Sequence, residues 1–100
     1  MIDSKLSGRL DLDRVALGGH SYGGATAILA SHNHEIVKAC VVLDGWISPI
    51  PDKVISEGIN VPFLFMGRPS WHDSDYPGNY ERLADLITHS SNEKYDLRIN

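Results

Sequence analysis

The sequence predicts an α/β fold in which about four parallel strands are joined by crossover helices. Apolar runs of strand length occur at residues 15–20, 36–43 and 61–66, and residues 95–100 alternate between apolar and polar side chains. Segments with helical spacing or helix-ending residues separate these runs. Strands that alternate with helices favour right-handed crossovers and a parallel sheet.

The first strand and helix follow a polar loop at residues 3–13. Residues 15–20 form a short run typical of a buried strand. Helical spacing begins directly after it, with side chains at i, i+3, i+4 and i+7: Ala25, Ile28, Leu29 and His32. The polar residues 31–34 end this helix.

The remaining elements repeat the pattern. Residues 36–43 are almost continuously apolar, which predicts a strand covered on both faces. Residues 52–57 form one or two helical turns, a strand begins near Pro62, and residues 67–78 form a long loop. A second amphipathic helix follows this loop, with one face formed by Tyr80, Leu83, Ala84 and Ile87.

Composition and charge exclude several functional classes. The chain is 42% apolar and 22% charged, and its formal net charge of −4 gives no basis for binding nucleic acid. No apolar stretch approaches the ~20 residues of a transmembrane helix, and the first residues lack the apolar run of a signal peptide. The single cysteine, Cys40, forms no disulfide within this chain and is expected to be buried.

The segment Gly19-His20-Ser21-Tyr22-Gly23 matches G-x-S-x-G between a predicted strand and a predicted helix. That context is the one in which this motif forms the nucleophile elbow of an α/β-hydrolase. The pattern predicts Ser21 as the nucleophile and the Tyr22 N–H as an oxyanion donor at a helix N-terminus. Glycines two residues before and after the serine are expected where a Cβ would clash. The alternative interpretation is a glycine-rich turn with a helix-capping serine.

The order of the catalytic groups in this fold, Ser then Asp/Glu then His, predicts an acid after the elbow. Asp44 ends the strand that follows, at the sheet edge where sites form. A turn-forming role before Gly45 is the alternative for Asp44. Asp73 and Asp75 are rival candidates for the acid because they follow the next strand.

No histidine in the chain fits the general base. His20 adjoins Ser21, and neighbouring side chains point to opposite sides, so we predict a packing or orienting role. His72 precedes Asp75, and His89 ends a helix. His32 and His34 with Glu35 form too small a set for a metal site, so a solvated loop is expected. The base is therefore expected beyond Asn100, and residues 1–100 are expected to be a partial α/β-hydrolase domain without its N-terminal strands and its catalytic histidine.

Three segments together resemble the platelet-activating factor acetylhydrolase family, the calcium-independent group VII phospholipases A2. These segments are Asp13-Arg14-Val15-Ala16, Gly19-His20-Ser21-Tyr22-Gly23-Gly24-Ala25-Thr26, and Leu43-Asp44-Gly45-Trp46 followed by Pro49. Val61-Pro62-Phe63-Leu64-Phe65 and Tyr76-Pro77 are similar too, so the resemblance covers roughly residues 8–100. Tyr22 departs from the family pattern, because Phe is frequent there.

The resemblance implies that Ser21 is the nucleophile and Asp44 the acid, because this family takes its acid from the strand after the elbow. It implies hydrolysis of short or oxidised sn-2 acyl chains of phospholipids, such as the acetyl group of platelet-activating factor, without a metal or other cofactor. The partner is then a small-molecule ester or phospholipid, with peripheral contact to a lipid surface as an option. Three aromatic side chains are expected either to line an acyl or lipid-facing surface or to pack in the core: Trp46, Trp71 and Tyr76.

Two alternatives remain at the level of sequence. One is a different α/β-hydrolase esterase, a relative of dienelactone hydrolases or peptidases, which keeps the serine chemistry and changes the substrate. The other is a catalytically dead, truncated binding module with an open sheet edge that invites association. In each case the 100 residues alone are expected to be inactive.

Overall fold

Strands and helices alternate along residues 13–68 and 78–99, the part of the chain that the computed structural model describes. The strands are β1 (Val15–His20), β2 (Val37–Leu43), β3 (Phe63–Gly67) and β4 (Lys94–Arg98). The helices are α1 (Tyr22–Asn33), α2 (Asp52–Glu57) and α3 (Asn79–His89). The predicted α/β class is confirmed, and no helix among these described residues is long and apolar enough to cross a bilayer.

The strands form one parallel sheet in the order β1-β2-β3-β4. Each strand lies beside the strand that precedes it in the chain, so every crossover moves in the same direction. Crossovers of one handedness then place their helices on one side of the sheet. The helices do share a single core cluster, to which α1 contributes Ile28, α2 contributes Ile55 and α3 contributes Leu83.

The core lies between these helices and one face of the sheet. Alternate residues of the two central strands point into it: Cys40 and Val42 of β2, and Phe63 and Phe65 of β3. Period-two burial follows from strand geometry, in which successive side chains point to opposite faces. Each large apolar side chain buried in this way contributes roughly 1.5–3 kcal/mol.

The opposite face of the sheet carries apolar side chains that the described residues do not cover. Register aligns Leu43 with Met66 and Met66 with Leu97, so one row of apolar residues crosses three strands. Leu43 is 45% exposed, Leu97 is 47% exposed and Tyr95 is 56% exposed. The sequence predicted cover on both faces of β2, and the described residues provide it on only one because all three helices lie on the same side.

Glycines allow β1, β2 and α1 to approach each other closely. A Cβ on Gly24 would lie 2.7 Å from Val42 Cγ1 and 3.1 Å from the Cα of Gly45. A Cβ on Gly19 would collide with the backbone of Gly23. The prediction that Gly23 itself lacks room for a Cβ was wrong, because a Cβ there meets no described atom within 4 Å apart from its chain neighbours and the backbone of its own helix. The elbow therefore requires glycine at position 19, in β1. In α1, glycine is required at position 24, one residue after the last glycine of the G-x-S-x-G motif.

We expect Gly24→Ala to lower the free energy of unfolding by ~1–3 kcal/mol, because the new methyl group forces α1 away from β2. Gly23→Ala is the matched control and is expected to be neutral or stabilising by up to about 1 kcal/mol, since alanine favours a helix over glycine. Urea denaturation followed by circular dichroism measures both. Equal losses for the two variants would contradict this account of the packing.

Cys40 lies in the core, as the sequence predicted. Burial raises the pKa of the Cys40 thiol above its ordinary value of 9.0, although a hydrogen bond with the Ser31 side chain acts in the opposite direction. The folded chain therefore holds the thiol in its neutral form at pH 8. Because the unfolded thiol ionises at lower pH than the folded one, its contribution to stability is full below pH 9.0 and declines above it.

We expect Cys40 to react with an aromatic disulfide reagent slowly in native buffer at pH 8 and at once in concentrated urea. The reason is that the reaction requires an accessible thiolate. The absorbance of the released thiolate measures the rate in both conditions. Rapid stoichiometric reaction of the folded chain would show that the thiol is accessible.

Candidate active site

Ser21 occupies the turn between the last residue of β1 and the first residue of α1. Its backbone has φ 55° and ψ −117°, a combination that L-residues other than glycine rarely adopt. Such a conformation costs of order 1–3 kcal/mol and persists only where the surrounding structure fixes it. Ser21 therefore has the strained strand-to-helix turn that a nucleophile elbow requires.

Backbone hydrogen bonds from β2 and α1 fix this strained conformation. The Ser21 N–H donates to the Leu43 carbonyl at 3.0 Å. The Ser21 carbonyl accepts from the N–H of Gly24 and from the N–H of Trp46, each at 3.0 Å. Leu43 and Trp46 lie on either side of Asp44 in the chain, so the elbow and the segment around Asp44 are tied together at two points.

The helix-capping alternative for Ser21 is not supported by its side chain. Ser21 stands at the N-cap position of α1, but its hydroxyl makes no capping hydrogen bond. A capping serine would accept from the N–H of the second or third helical residue. The Ser21 hydroxyl is therefore not committed to the helix, and its half-buried position at the turn leaves it partly open to solvent.

The beginning of α1 suits a developing negative charge. An α-helix leaves its first N–H groups without acceptors in the helix, and Tyr22 carries the first of them. The first turn contains no acidic side chain that would oppose an anion. The Tyr22 N–H thus stands next to Ser21 with the polarity that an oxyanion donor needs.

Asp44 follows β2 directly, at the same edge of the sheet as Ser21. Its φ of 48° places the backbone in the left-handed region, which aspartate tolerates better than most residues. The Asp44 N–H donates to the Met66 carbonyl at 2.6 Å, which ties the residue to β3. Asp44 is therefore held from two sides, by the elbow through its neighbours and by β3 through its own amide.

The Asp44 carboxylate forms a fork-shaped ion pair with Arg68, the residue that follows β3. Arg68 Nη2 lies 2.8 Å from Oδ2, and Nε lies 3.0 Å from Oδ2 and 3.2 Å from Oδ1. The backbone N–H of Arg68 adds a longer contact of 3.4 Å to Oδ1. Both carboxylate oxygens are thus held by one arginine.

The loop after Asp44 is anchored by a buried amide on α3. Asn79, 1% exposed, accepts from the N–H of Ile47 at 2.7 Å and donates to the carbonyl of Gly45 at 3.2 Å. Between these two residues, the Trp46 N–H donates to Ser21 as described above. Asn79 and the Ser21 carbonyl therefore hold residues 45–47 from opposite sides.

Two aromatic rings stand beside the elbow. The rings of Tyr22 and Trp46 are 6.1 Å apart between centroids and inclined by 53°. The Tyr22 ring is among the exposed large side chains, so the pair presents apolar surface next to Ser21. Of the aromatic surface predicted from the sequence, Trp46 is placed here, whereas Trp71 and Tyr76 lie outside the described residues.

The structure shows no side-chain contact between a described histidine and Ser21 or Asp44. His20 is exposed at the end of β1, and its predicted packing or orienting role stays a prediction. His32 pairs with Glu57 at 3.1 Å, and His89 bonds the Asp85 carbonyl at 2.8 Å. Within the described residues, no group of three His, Cys, Asp or Glu side chains comes together to bind a metal. Three predicted candidates lie outside those residues: His72, Asp73 and Asp75.

A polar cleft of about 550 Å³ lies at the other end of the sheet. It is formed by the end of α1, the beginning of β2, residues 60–62 before β3, and Asn92 before β4. Ser21 and Asp44 take no part in it. Because sites in parallel sheets form at the carboxyl ends of strands, we place the candidate site at Ser21 and not in this cleft.

Sequence reasoning missed Arg68 and Asn79. Arg68 follows an apolar run, in the same way as Asp44 follows β2, and its position at a strand end was the signal available. In the sequence, Asn79 is only the first residue of a predicted helix. Nothing there indicates its two hydrogen-bond partners, because they lie more than thirty residues away in the chain.

Comparison with known proteins agrees with this geometry. Residues 3–95 match the family described as platelet-activating factor acetylhydrolase, isoform II. The chain is 30% identical over 90 residues to a platelet-activating factor acetylhydrolase of Gallus gallus, covering 89% of this chain and 20% of that protein. It is 33% identical over 79 residues to the Bos taurus protein of the same name, covering 79% of this chain and 17% of that protein.

A third relative shows the same partial overlap. The platelet-activating factor acetylhydrolase of Cavia porcellus is 37% identical over 62 residues, covering 62% of this chain and 14% of that protein. The resemblance predicted from the elbow and the Leu43–Trp46 segment is thus confirmed. The chain spans 14 to 20% of the length of these relatives.

We expect Asn79→Ala to destabilise the fold by about 2–4 kcal/mol, because it leaves the Ile47 N–H and the Gly45 carbonyl buried without their side-chain partner. The exposed Asn33→Ala is the control and should change stability by less than ~0.5 kcal/mol. Urea denaturation measures both variants. Similar stability of the two would show that the amide does not hold the loop.

Proposed function

We propose that the protein hydrolyses a carboxylic ester of a phospholipid, because the chain belongs to the platelet-activating factor acetylhydrolase family, isoform II. The residues proposed to act are Ser21, Asp44 and the N–H of Tyr22. The observation that carries the proposal is the strained backbone of Ser21, whose hydroxyl is not used to cap α1. Strain of this kind is characteristic of sites where a reactive group must be presented.

The proposed reaction proceeds through an acyl-serine. Ser21 Oγ attacks the ester carbonyl carbon and gives its proton to a histidine, and the Tyr22 N–H stabilises the oxyanion. The ester C–O bond then breaks, and the histidine returns the proton to the leaving alcohol. Water repeats the sequence on the acyl-serine and releases the carboxylic acid. Asp44 orients the histidine and stabilises its positive charge.

We propose that the histidine comes from protein outside residues 1–100. The relatives are several times longer than this chain, and they are named as hydrolases. The sheet face that carries Leu43, Tyr95 and Leu97 also supports this view, since parallel sheets are normally covered on both faces. In this proposal residues 1–100 are the part of the domain that carries the nucleophile and the acid.

We propose a short sn-2 acyl chain, such as acetyl, as the group that is removed. The names of the relatives, which specify an acetylhydrolase, support this choice. The Tyr22–Trp46 pair supplies apolar surface beside Ser21 that suits an acyl or lipid chain. The same surface is the basis for proposing peripheral contact with a lipid assembly.

We expect Ser21→Ala, made in the full-length protein, to abolish labelling by a fluorophosphonate and to lower hydrolysis of a 2-acetyl phosphatidylcholine at least ~10⁴-fold. Asp44→Asn should lower the rate by roughly 10⁴-fold while leaving the fold intact. The exposed Ser56→Ala is the matched serine control and should behave as wild type. Labelling in gels and release of acetate measure these effects.

Two comparisons decide between the alternatives. Residues 1–100 alone should label far more slowly than the full-length protein because they lack the base. Faster hydrolysis of simple aryl esters or lactones than of the acetyl phospholipid would favour another esterase. No labelling and no hydrolysis by the full-length protein would favour the binding module, whereas unchanged labelling of Ser21→Ala would show that another residue is the nucleophile.

A further inference from the structure

We propose that Arg68 is a positioning residue for the hydrolase reaction, which orients the Asp44 carboxylate and limits the negative charge that it presents to the catalytic histidine. This inference rests on the proposed function, because it assigns a role relative to the triad acid. Arg68 itself does not touch the reacting atoms in this scheme.

The first support is the geometry of the pair. Register aligns Leu43 of β2 with Met66 of β3, so the residues that follow these two strands, Asp44 and Arg68, meet at one edge of the sheet. The guanidinium reaches the carboxylate through Nε and Nη2 at 2.8–3.2 Å. Arginine in this fork arrangement fixes the plane of a carboxylate as well as neutralising it.

The second support is that the backbone of Arg68 is also fixed. The Tyr80 hydroxyl of α3 donates to the Arg68 carbonyl, and the Arg68 N–H points at Asp44 Oδ1. The Asp44 side chain is only 25% exposed, although that of Arg68 is 50% exposed. An exposed ion pair contributes little to stability. The Asp44–Arg68 pair is anchored at both residues and partly shielded from solvent. We therefore explain it by its effect on the Asp44 carboxylate and not by a contribution to stability.

The charge has a consequence for the base. During attack the histidine becomes an imidazolium, which the acid stabilises. The guanidinium beside Asp44 is permanently charged and opposes that positive charge. Arg68 therefore favours the neutral histidine, the form that accepts the serine proton. We expect it to extend activity to lower pH.

Other charged or titratable groups face this edge of the sheet, so the test must separate their effects. His20 lies at the end of β1, and Tyr80 lies on α3. On β4, Asp96 and Arg98 pair with each other, and Arg98 stacks 3.8 Å above the Tyr80 ring. Asp96 and Arg98 compensate each other in charge, and among the described residues Arg68 is the cation whose ion pair with Asp44 the structure shows.

The test compares Arg68→Met and Arg68→Lys in the full-length protein, with the exposed Arg14→Met at the far end of β1 as the control. The probe is p-nitrophenyl acetate, and both kcat and kcat/KM are measured from pH 5 to 9. Both Arg68 variants should lose roughly tenfold in plateau kcat, because neither keeps the fork that orients Asp44. Only Arg68→Met should move the acidic limb to higher pH, by about half a unit to one unit, because lysine keeps the charge.

Two results would overturn the proposal. A pH profile and kcat equal to wild type in Arg68→Met would make the contact an ordinary surface ion pair. A rise in kcat in either variant would make Arg68 a competitor of the histidine for Asp44. Failure of the proposed function is recognised separately, because the wild-type protein would then be inactive, or its activity would survive Ser21→Ala, whatever happens at Arg68.

Discussion

The fold of this chain depends on a backbone conformation that one residue adopts under strain. Ser21 has a positive φ at the junction of β1 and α1, and its amide and carbonyl are held by Leu43, Gly24 and Trp46. A serine in this conformation would relax if those hydrogen bonds were lost. The close approach of α1 to the sheet at Gly24 follows from the same turn, so the packing of the first helix and the presentation of the hydroxyl have one cause.

The elbow is coupled to the candidate acid through the backbone and not through side chains. Leu43 and Trp46 bond Ser21 from either side of Asp44, and Asn79 holds Gly45 and Ile47 on the other side of the loop. A change on α3 therefore reaches Ser21 through a single short loop. This arrangement gives Ser21 and Asp44, the proposed nucleophile and acid, fixed relative positions, which is what preorganised catalysis requires.

Charge at this edge of the sheet is arranged around Asp44. Arg68 supplies the cation, Tyr80 fixes its backbone, and the N-terminus of α1 supplies a partial positive charge near Ser21. Positive charge at this edge thus comes from the Arg68 guanidinium, which pairs with the Asp44 carboxylate, and from the N-terminus of α1. The apolar side chains on the opposite face of the sheet, among them Leu43 and Leu97, are left exposed by the described residues.

The sequence alone determined the α/β class, the order of the elements and the position of Ser21, because strand periodicity, helix periodicity and the G-x-S-x-G pattern are local properties of the chain. Position in the chain alone left Asp44 as one of several candidate acids, and the family resemblance selected it. The sequence misjudged the room at Gly23. Tertiary structure decided the contacts that join distant segments: the Asp44–Arg68 pair, the Asn79 anchor and the covering of one sheet face only. These features depend on strand register and on the direction of the crossovers, which bring together residues more than twenty positions apart and leave no periodic trace in the sequence.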